Sequence, residues 1–351
     1  MMEEFSFRGG KRKRGKEKED PQRVLPGKNT LPESEAPDKK RRKVGENCRR
    51  PKKQRGGQKN EKQQKFKKPE TFYSRYTIGK KIGEGGYGSV FEGTRNSDGL
   101  QVAIKFVPNS VGRRYKIGPD GSRHVPVEVV LMQKMSEPPV DDSVVRLIEW
   151  FDEPCRYILI MEHPKPCRDL WNLICAYGGS LSEDMASDIM YQVLHAAIHC
   201  QKREILHRDI KPDNFLINME TAVVKLIDFG CGDWIRDDEY HSVIGTWLYH
   251  PPESILWRRY RATPATVWSL GVTLYRMVMG HMPFKSIQEI VQGRLEFRDD
   301  LSKECCDLIR WCLQFDPNSR PSLLKMRKHQ WFKSTFPEQV MEKDEPSRTL
   351  A

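Results

Sequence analysis

HRDIKPDN, residues 207–214, is the stretch on which the reading of this chain turns. It sets a carboxylate (Asp209), an ammonium two residues later (Lys211) and a carboxamide five residues later (Asn214) between two apolar runs, IL and FLIN. In the arrangement H-R-D-x-x-x-x-N, the aspartate orients or accepts the proton of an attacking hydroxyl. The asparagine offers an oxygen to a divalent cation, which is the division of labour that phosphoryl transfer needs. Lys211 is placed to stabilise charge on the transferred group.

Working outward, an apolar strand ends in Asp228-Phe-Gly230, fourteen residues past Asn214. Asp228 is the expected main Mg²⁺ ligand, bridging phosphate oxygens. Upstream, VAIK closes on Lys105. A lysine ending an apolar strand is commonly a snorkelling side chain. After a glycine-rich hairpin it can instead reach α- and β-phosphates, and Glu128 at the start of the following helix is the carboxylate to hold it. GEGGYGSV supplies that hairpin as Gly83-x-Gly85-x-x-Gly88-x-Val90. Its glycines allow backbone amides close to phosphate oxygens. A plain glycine-rich turn explains the spacing equally well, whereas a dinucleotide fingerprint wants a helix where strand-like SVFEGTR follows. Singly these signals are common; in this order along one chain they are not.

The 351 residues carry a net charge of +12, unevenly spread. Residues 1–70 hold 24 Lys/Arg against 11 Asp/Glu, and the remainder holds 36 against 37. The basic character therefore belongs to an N-terminal tail rich in Lys, Arg, Glu, Gln, Pro and Gly, with disorder as the expectation. Its clusters KRKR (11–14), KKRRK (39–43) and RRPKKQR (49–55) suit a solvated linker, an import receptor, or weak nucleic-acid contact through residues 11–55. Stacking aromatics are nearly absent from it, which disfavours base recognition. Nine cysteines without a Cys-x-x-Cys pair argue for reduced thiols and a cytoplasmic and/or nuclear location. No stretch reaches the roughly 20 apolar residues of a membrane span; Val267–Gly280, interrupted by Arg276, reads as a buried helix.

From Phe72 the composition changes, and over Tyr76–Val107 apolar and polar residues alternate with glycine punctuation, as in strands. A polar insertion (108–126) precedes a helical pattern at Val129, Val130, Met132 and Met135, and strand-like runs follow at Val144–Phe151 and Tyr157–Met161. Beyond the double-proline connector the chain becomes helical, with Ser182 as an N-cap and Met185, Ile189, Val193 and Ala197 spaced by four.

With these motifs in order, the stretch 76–332 resembles a eukaryotic protein kinase, and more narrowly the Pim-like Ser/Thr kinases. The narrower likeness rests on the connector Glu162-His-Pro-Lys-Pro-Cys-Arg-Asp169, the insertion ending GPDGSRHVPVEVVLM (118–132), and ATVWSLG. In the last of these, Thr266 stands where most kinases have an aspartate bracing the catalytic loop. The resemblance implies an α+β bilobal kinase fold with a small β-rich N-lobe (72–161), a hinge (162–169) and a larger α-helical C-lobe (170–333). It does not reach the basic tail (1–71), whose disorder is expected from composition, and a C-terminal tail (334–351) follows. It implies ATP and Mg²⁺ as cofactors, protein substrates with Ser/Thr acceptors, and a monomer. Lys211 goes with Ser/Thr rather than Tyr acceptors. The nucleotide pocket is then Ile82, Val90 and Ala103 above, Leu216 below, Met161 as gatekeeper, the Glu162 carbonyl toward the adenine amino group, and Asp169 at the end of the hinge. Glu253 of PPE is expected to pair with Arg320 structurally.

Departures matter too. Asp169 and Asp213 are kept, but other acidic positions that read basic residues upstream of the acceptor are Asn172, His281 and Ile287, so basic preference is expected to weaken or shift. Acids bracing the activation segment (228–253) are missing from Tyr240–Thr246; either Asp237, Asp238 and Glu239 substitute, or phosphorylation of Ser242 supplies charge for Arg208. Two other readings stay open: a pseudokinase or scaffold, which would lack Lys105, Asp209, Asn214 or Asp228, and a nucleic-acid-associated protein acting through its tail. Pro164, lacking an N–H, removes one hydrogen bond that a hinge ordinarily offers adenine.

Overall fold

The computed structural model describes residues 71–110, 115–117 and 124–333. The basic tail to residue 70 with its three clusters, the rest of the insertion, and the 334–351 tail lie outside the described residues.

The first lobe is an antiparallel sheet behind a short helix, α1 (Phe72–Arg75). Its strands are β1 (Tyr76–Gly85), β2 (Gly88–Arg95) and β3 (Gln101–Pro108), then β6 (Leu147–Glu153) and β7 (Arg156–Glu162), in the spatial order β1-β2-β3-β7-β6. Within the insertion, β4 (Tyr115–Ile117) pairs antiparallel with β5 (His124–Pro126), a ribbon the polar composition did not announce. β3 and β7 are buried on both faces, and their period-2 alternation sorts the side chains. Val102, Ile104, Phe106, Ile158 and Ile160 pack on one face with Phe72 and Tyr76. Ala103, Val107, Leu159 and Met161 face the other way, toward the large core. Lys105 shares that second face, so the alternation alone delivers its ammonium to the inter-lobe side.

Helix α2 (Val127–Met135) packs beneath this face. The strand expected at Val144–Phe151 begins later, at Leu147. Val144 instead forms a parallel bridge to Leu226, and Val145 donates its N–H to the Leu226 carbonyl. Those residues belong to the second lobe's packing, which competes with strand pairing in the first.

The connector is short in practice. β7 absorbs Glu162, and β8 (Cys167–Asp169) pairs with β10 (Phe215–Asn218), leaving 163–166 between the two sheets. Lys165 Nζ lies 2.8 Å from Glu92 Oε1, and the Pro166 carbonyl accepts from the Met219 N–H.

The second lobe is built on α3 (Leu170–Ala176), α4 (Glu183–Lys202), α5 (Pro252–Trp257), α6 (Ala262–Met279), α7 (Ile287–Gln292) and α8 (Lys303–Cys312). Ser182 caps α4 by accepting from the Met185 N–H, with Glu183 and Asp184 in the first turn. α6 is the buried helix, and its one charge is accommodated: Arg276 donates to the Tyr249 hydroxyl at 2.6 Å and lies 3.7 Å over the Trp171 ring. Cys305 and Cys306 are both buried in α8, and the described cysteines are free thiols. Among the described residues no helix is long and apolar enough to cross a membrane. Short strands complete the lobe: β9 (Ile205–Leu206), β11 (Val224–Leu226), paired with β10, and β12 (Asp233–Trp234), paired with β9.

Candidate active site

The catalytic-loop residues converge as their spacing suggests. Asp209 is buried, and its Oδ1 accepts from the Thr246 N–H at 2.8 Å. Asp209 Oδ2 takes Asn214 Nδ2 at 3.0 Å and lies 3.0 Å from Lys211 Nζ. Lys211 also donates to the Thr246 hydroxyl at 2.7 Å, closing a triangle with Asp209. Burial alone would raise the Asp209 carboxyl, but Lys211 and Thr246 outweigh it and hold it below the usual range. Asn214 directs its amide nitrogen at Asp209, at its backbone carbonyl (2.7 Å) and its carboxylate (3.0 Å), and among the described residues no hydrogen bond to its carboxamide oxygen is made.

His207 sets the loop's floor. Its Nε2 lies 3.0 Å from the Ile227 carbonyl, and its Nδ1 accepts from the Asp209 N–H, a pairing that suits the neutral ring. Burial depresses its pKa accordingly. The ring stands edge-on to Phe229, whose burial in the core fixes its neighbour Asp228 outward.

Across the cleft, Lys105 Nζ lies 2.6 Å from Glu128 Oε1 and 2.8 Å from Asp228 Oδ1. Burial opposes the ammonium, yet Asp228 and Glu128 together push its pKa up. Burial likewise works against the Asp228 carboxylate, but Lys105 brings it down to about 2. Tyr157, a residue the motifs did not flag, donates to Glu128 Oε2 at 2.8 Å and so fixes the carboxylate that holds Lys105.

The glycine-rich hairpin pairs Gly83 with Val90 and Gly85 with Gly88. Gly88 (φ +146°) is required by packing, since a Cβ there would sit 2.1 Å from the Phe106 carbonyl oxygen. A Cβ at Gly85 would meet nothing within 4 Å among the described residues, so packing against them does not require a glycine there. At the tip, Tyr87 folds down over the Asp228-Phe-Gly turn, and its hydroxyl accepts from Cys231 Sγ at 3.1 Å.

The residues expected to form the nucleotide pocket lie together. Ala103 and Met161 are register partners across β3 and β7, Val90 pairs with Lys105, and Leu216 pairs with Asp169. Ile82 is the outermost, about two-fifths exposed. The Glu162 side chain takes Lys225 at 2.9 Å and the Arg146 N–H at 3.1 Å. Asp169 is already engaged as the N-cap of α3, accepting from Asn172 N at 2.8 Å and Nδ2 at 2.6 Å. Pro164 offers only its carbonyl, which accepts from Asn218 Nδ2.

Glu253 and Arg320 form the expected bidentate pair, at 2.8 and 2.7 Å and fully buried. Thr266 turns its hydroxyl back to the Ala262 carbonyl of its own helix. The trio Asp237, Asp238 and Glu239 is exposed and makes no ion pair with Arg208 among the described residues. The carboxylate at Arg208 is Asp233, which no motif pointed to; only the pairing of β12 with β9 brings it there. Gly245 (φ +114°) presses on the Arg208 carbonyl, where a Cβ would come within 2.3 Å.

Residues 76–332 match the protein kinase domain family. The chain is 39% identical over 267 residues to serine/threonine-protein kinase pim-2 of Danio rerio, covering 75% of this chain and 86% of that one. It is 36% identical over 266 residues to serine/threonine-protein kinase prk-2 of Caenorhabditis elegans (75% and 59% covered). Against the SNF-related serine/threonine-protein kinase of Homo sapiens it is 30% identical over 269 residues, spanning 75% of this chain but 34% of the other. Such matches, over a site whose lysine, two aspartates and asparagine are all present, make the chain a member of the protein kinase family, a serine/threonine kinase resembling the Pim kinases.

Proposed function

We propose that Asp209 orients the hydroxyl of a Ser or Thr on a protein substrate for attack on the γ-phosphorus of ATP. The oxygen–phosphorus bond to the acceptor forms as the bond from γ-phosphorus to the β–γ bridging oxygen breaks, giving phosphoprotein and ADP. The hydroxyl proton leaves toward the Asp209 carboxylate. The observation that carries this reading is the Asp209–Lys211–Thr246 triangle, which fixes one carboxylate oxygen by the Thr246 amide at 2.8 Å. Lys211 supplies positive charge beside that carboxylate, and Lys105, clamped by Glu128, serves the α- and β-phosphates.

Asp228 and the carboxamide oxygen of Asn214 are hard oxygen donors that fit Mg²⁺, which takes one or two protein ligands and completes its shell with phosphate and water. Mg²⁺ so bound would neutralise charge on the phosphates.

On the acceptor side, we assign a weakened preference for upstream basic residues. Asp213 is shared with Arg276 at 3.7 Å and Asp169 is spent on Asn172, so neither carboxylate is fully available to a substrate guanidinium. Beside Thr246, Trp247, Ile287 and Val291 are exposed around an open groove of about 580 Å³. Apolar substrate residues suit it. A randomised peptide library with Mg²⁺ and ATP tests both activity and preference; failure to label any Ser/Thr peptide rejects the reading. The basic tail, by its charge, we assign to import into the nucleus, to be checked by locating a chain lacking residues 1–70.

A further inference from the structure

Arg208, between His207 and Asp209, has an almost fully buried guanidinium (2% exposed). Its Nε donates to the Cys231 carbonyl at 2.6 Å and its Nη2 to the Gly232 carbonyl at 3.3 Å. Nη1 stands 3.4 Å from Asp233 Oδ2 and 3.5 Å from the Ser242 hydroxyl. A buried guanidinium without a carboxylate is strongly unfavourable, so its hold on the two carbonyls depends on a counter-ion. β12 delivers one: Asp233 is in register with Leu206, two residues before Arg208. Asp233 is itself oriented, accepting the Trp234 N–H on Oδ1 at 3.0 Å, with Arg236 at 3.5 Å from Oδ2.

We infer that Asp233 is the built-in counter-ion of Arg208, a positioning residue that holds the activation segment in register with the catalytic loop without a phosphate. This deepens the kinase reading and rests on it. The linkage to the chemistry is short. The Arg208 side chain grips the chain just after Asp228-Phe-Gly, its carbonyl abuts Gly245, and the next residue, Thr246, donates to Asp209. Ser242, exposed and facing the same guanidinium, is the second place from which negative charge can reach it.

The test uses the full chain, phosphatase-treated, with Ser242 shown unmodified by mass spectrometry. Wild type and Ser242→Ala are expected to be equally active. Asp233→Asn, close to isosteric, should lose about thirtyfold or more in kcat while its KM for ATP stays within about threefold. Asp233→Ala combined with Ser242→Asp should recover to within about fivefold of wild type, a rescue that a merely structural role would not give. Thermal melting of each variant separates misfolding from mispositioning. An Asp233→Asn enzyme as fast as wild type overturns the brace alone. So does a folded double variant no better than Asp233→Ala, or a wild type inert until Ser242 is phosphorylated. A wild type that labels no peptide in either state overturns the kinase reading itself.

Discussion

Tyr157 donates its phenolic hydrogen to Glu128 Oε2, while the other oxygen of that carboxylate holds Lys105. The lysine is thus positioned by a tyrosine across the sheet as well as by the helix. Tyr157→Phe removes a buried bond to a charged group, worth about 1.5–3 kcal/mol. The expected result is a lower melting temperature and a several-fold lower kcat; unchanged kinetics and melting would show that α2 alone fixes Glu128.

At the hinge, Pro164 has no N–H to offer a base. Pro164→Ala supplies one, and an added hydrogen bond contributes about 0.5–1.5 kcal/mol, or roughly a two- to tenfold lower KM for ATP. Nucleotide titration of the two proteins decides the matter, and an equal or higher KM counts against this geometry.

The Glu253–Arg320 pair is buried on both sides. Glu253→Ala leaves Arg320 charged and unpaired, at a cost of about 3–5 kcal/mol. For a folded region of this size that corresponds to a fall of roughly 6–20 °C in Tm by calorimetry. A drop under about 3 °C would mean that water reaches the guanidinium.

Stability should decline on the acid side before the carboxylates titrate. Burial keeps His207, His199 and His250 below the ordinary histidine range. Below about pH 6.5 the unfolded chain therefore binds more protons than the folded one, and stability falls as pH falls. Asp209 and Asp228 are lowered by their partners, so their contribution is present above about pH 4 and is lost only at lower pH. Tm at pH 5 is expected to lie below Tm at pH 7.5; a flat profile would contradict this.

Restoring acid at His281 and Ile287 tests the proposed substrate preference. The double variant His281→Asp, Ile287→Asp should increase selection of upstream Arg by about tenfold in a peptide library. No gain would place basic-residue recognition elsewhere on the lobe.

Much of the site was legible because it is written in short runs. HRDIKPDN, DFG and VAIK each carry their own backbone geometry, and the order of the runs implied the cleft. Ser182 as a cap and α6 as a buried helix follow from local rules. What was not legible depends on distant pairing. Asp233 reaches Arg208 only through a two-residue strand pair, and Tyr157 reaches Glu128 across a lobe. Val144, apolar enough for a strand, was claimed by Leu226 of the other lobe. The three acids at 237–239 were the nearest in composition to a brace, but exposure leaves them facing solvent.

Gly245 carries a consequence for how the segment tolerates change. Its positive φ and its approach to the Arg208 carbonyl exclude every side chain, whereas Val243, two residues earlier, is 40% exposed. Substitution profiles along 240–246 should therefore alternate sharply, with position 243 permissive and position 245 admitting glycine alone. Drift in the segment's sequence is free where it meets water and is stopped where one missing methyl keeps the activation segment seated on the Arg208 carbonyl.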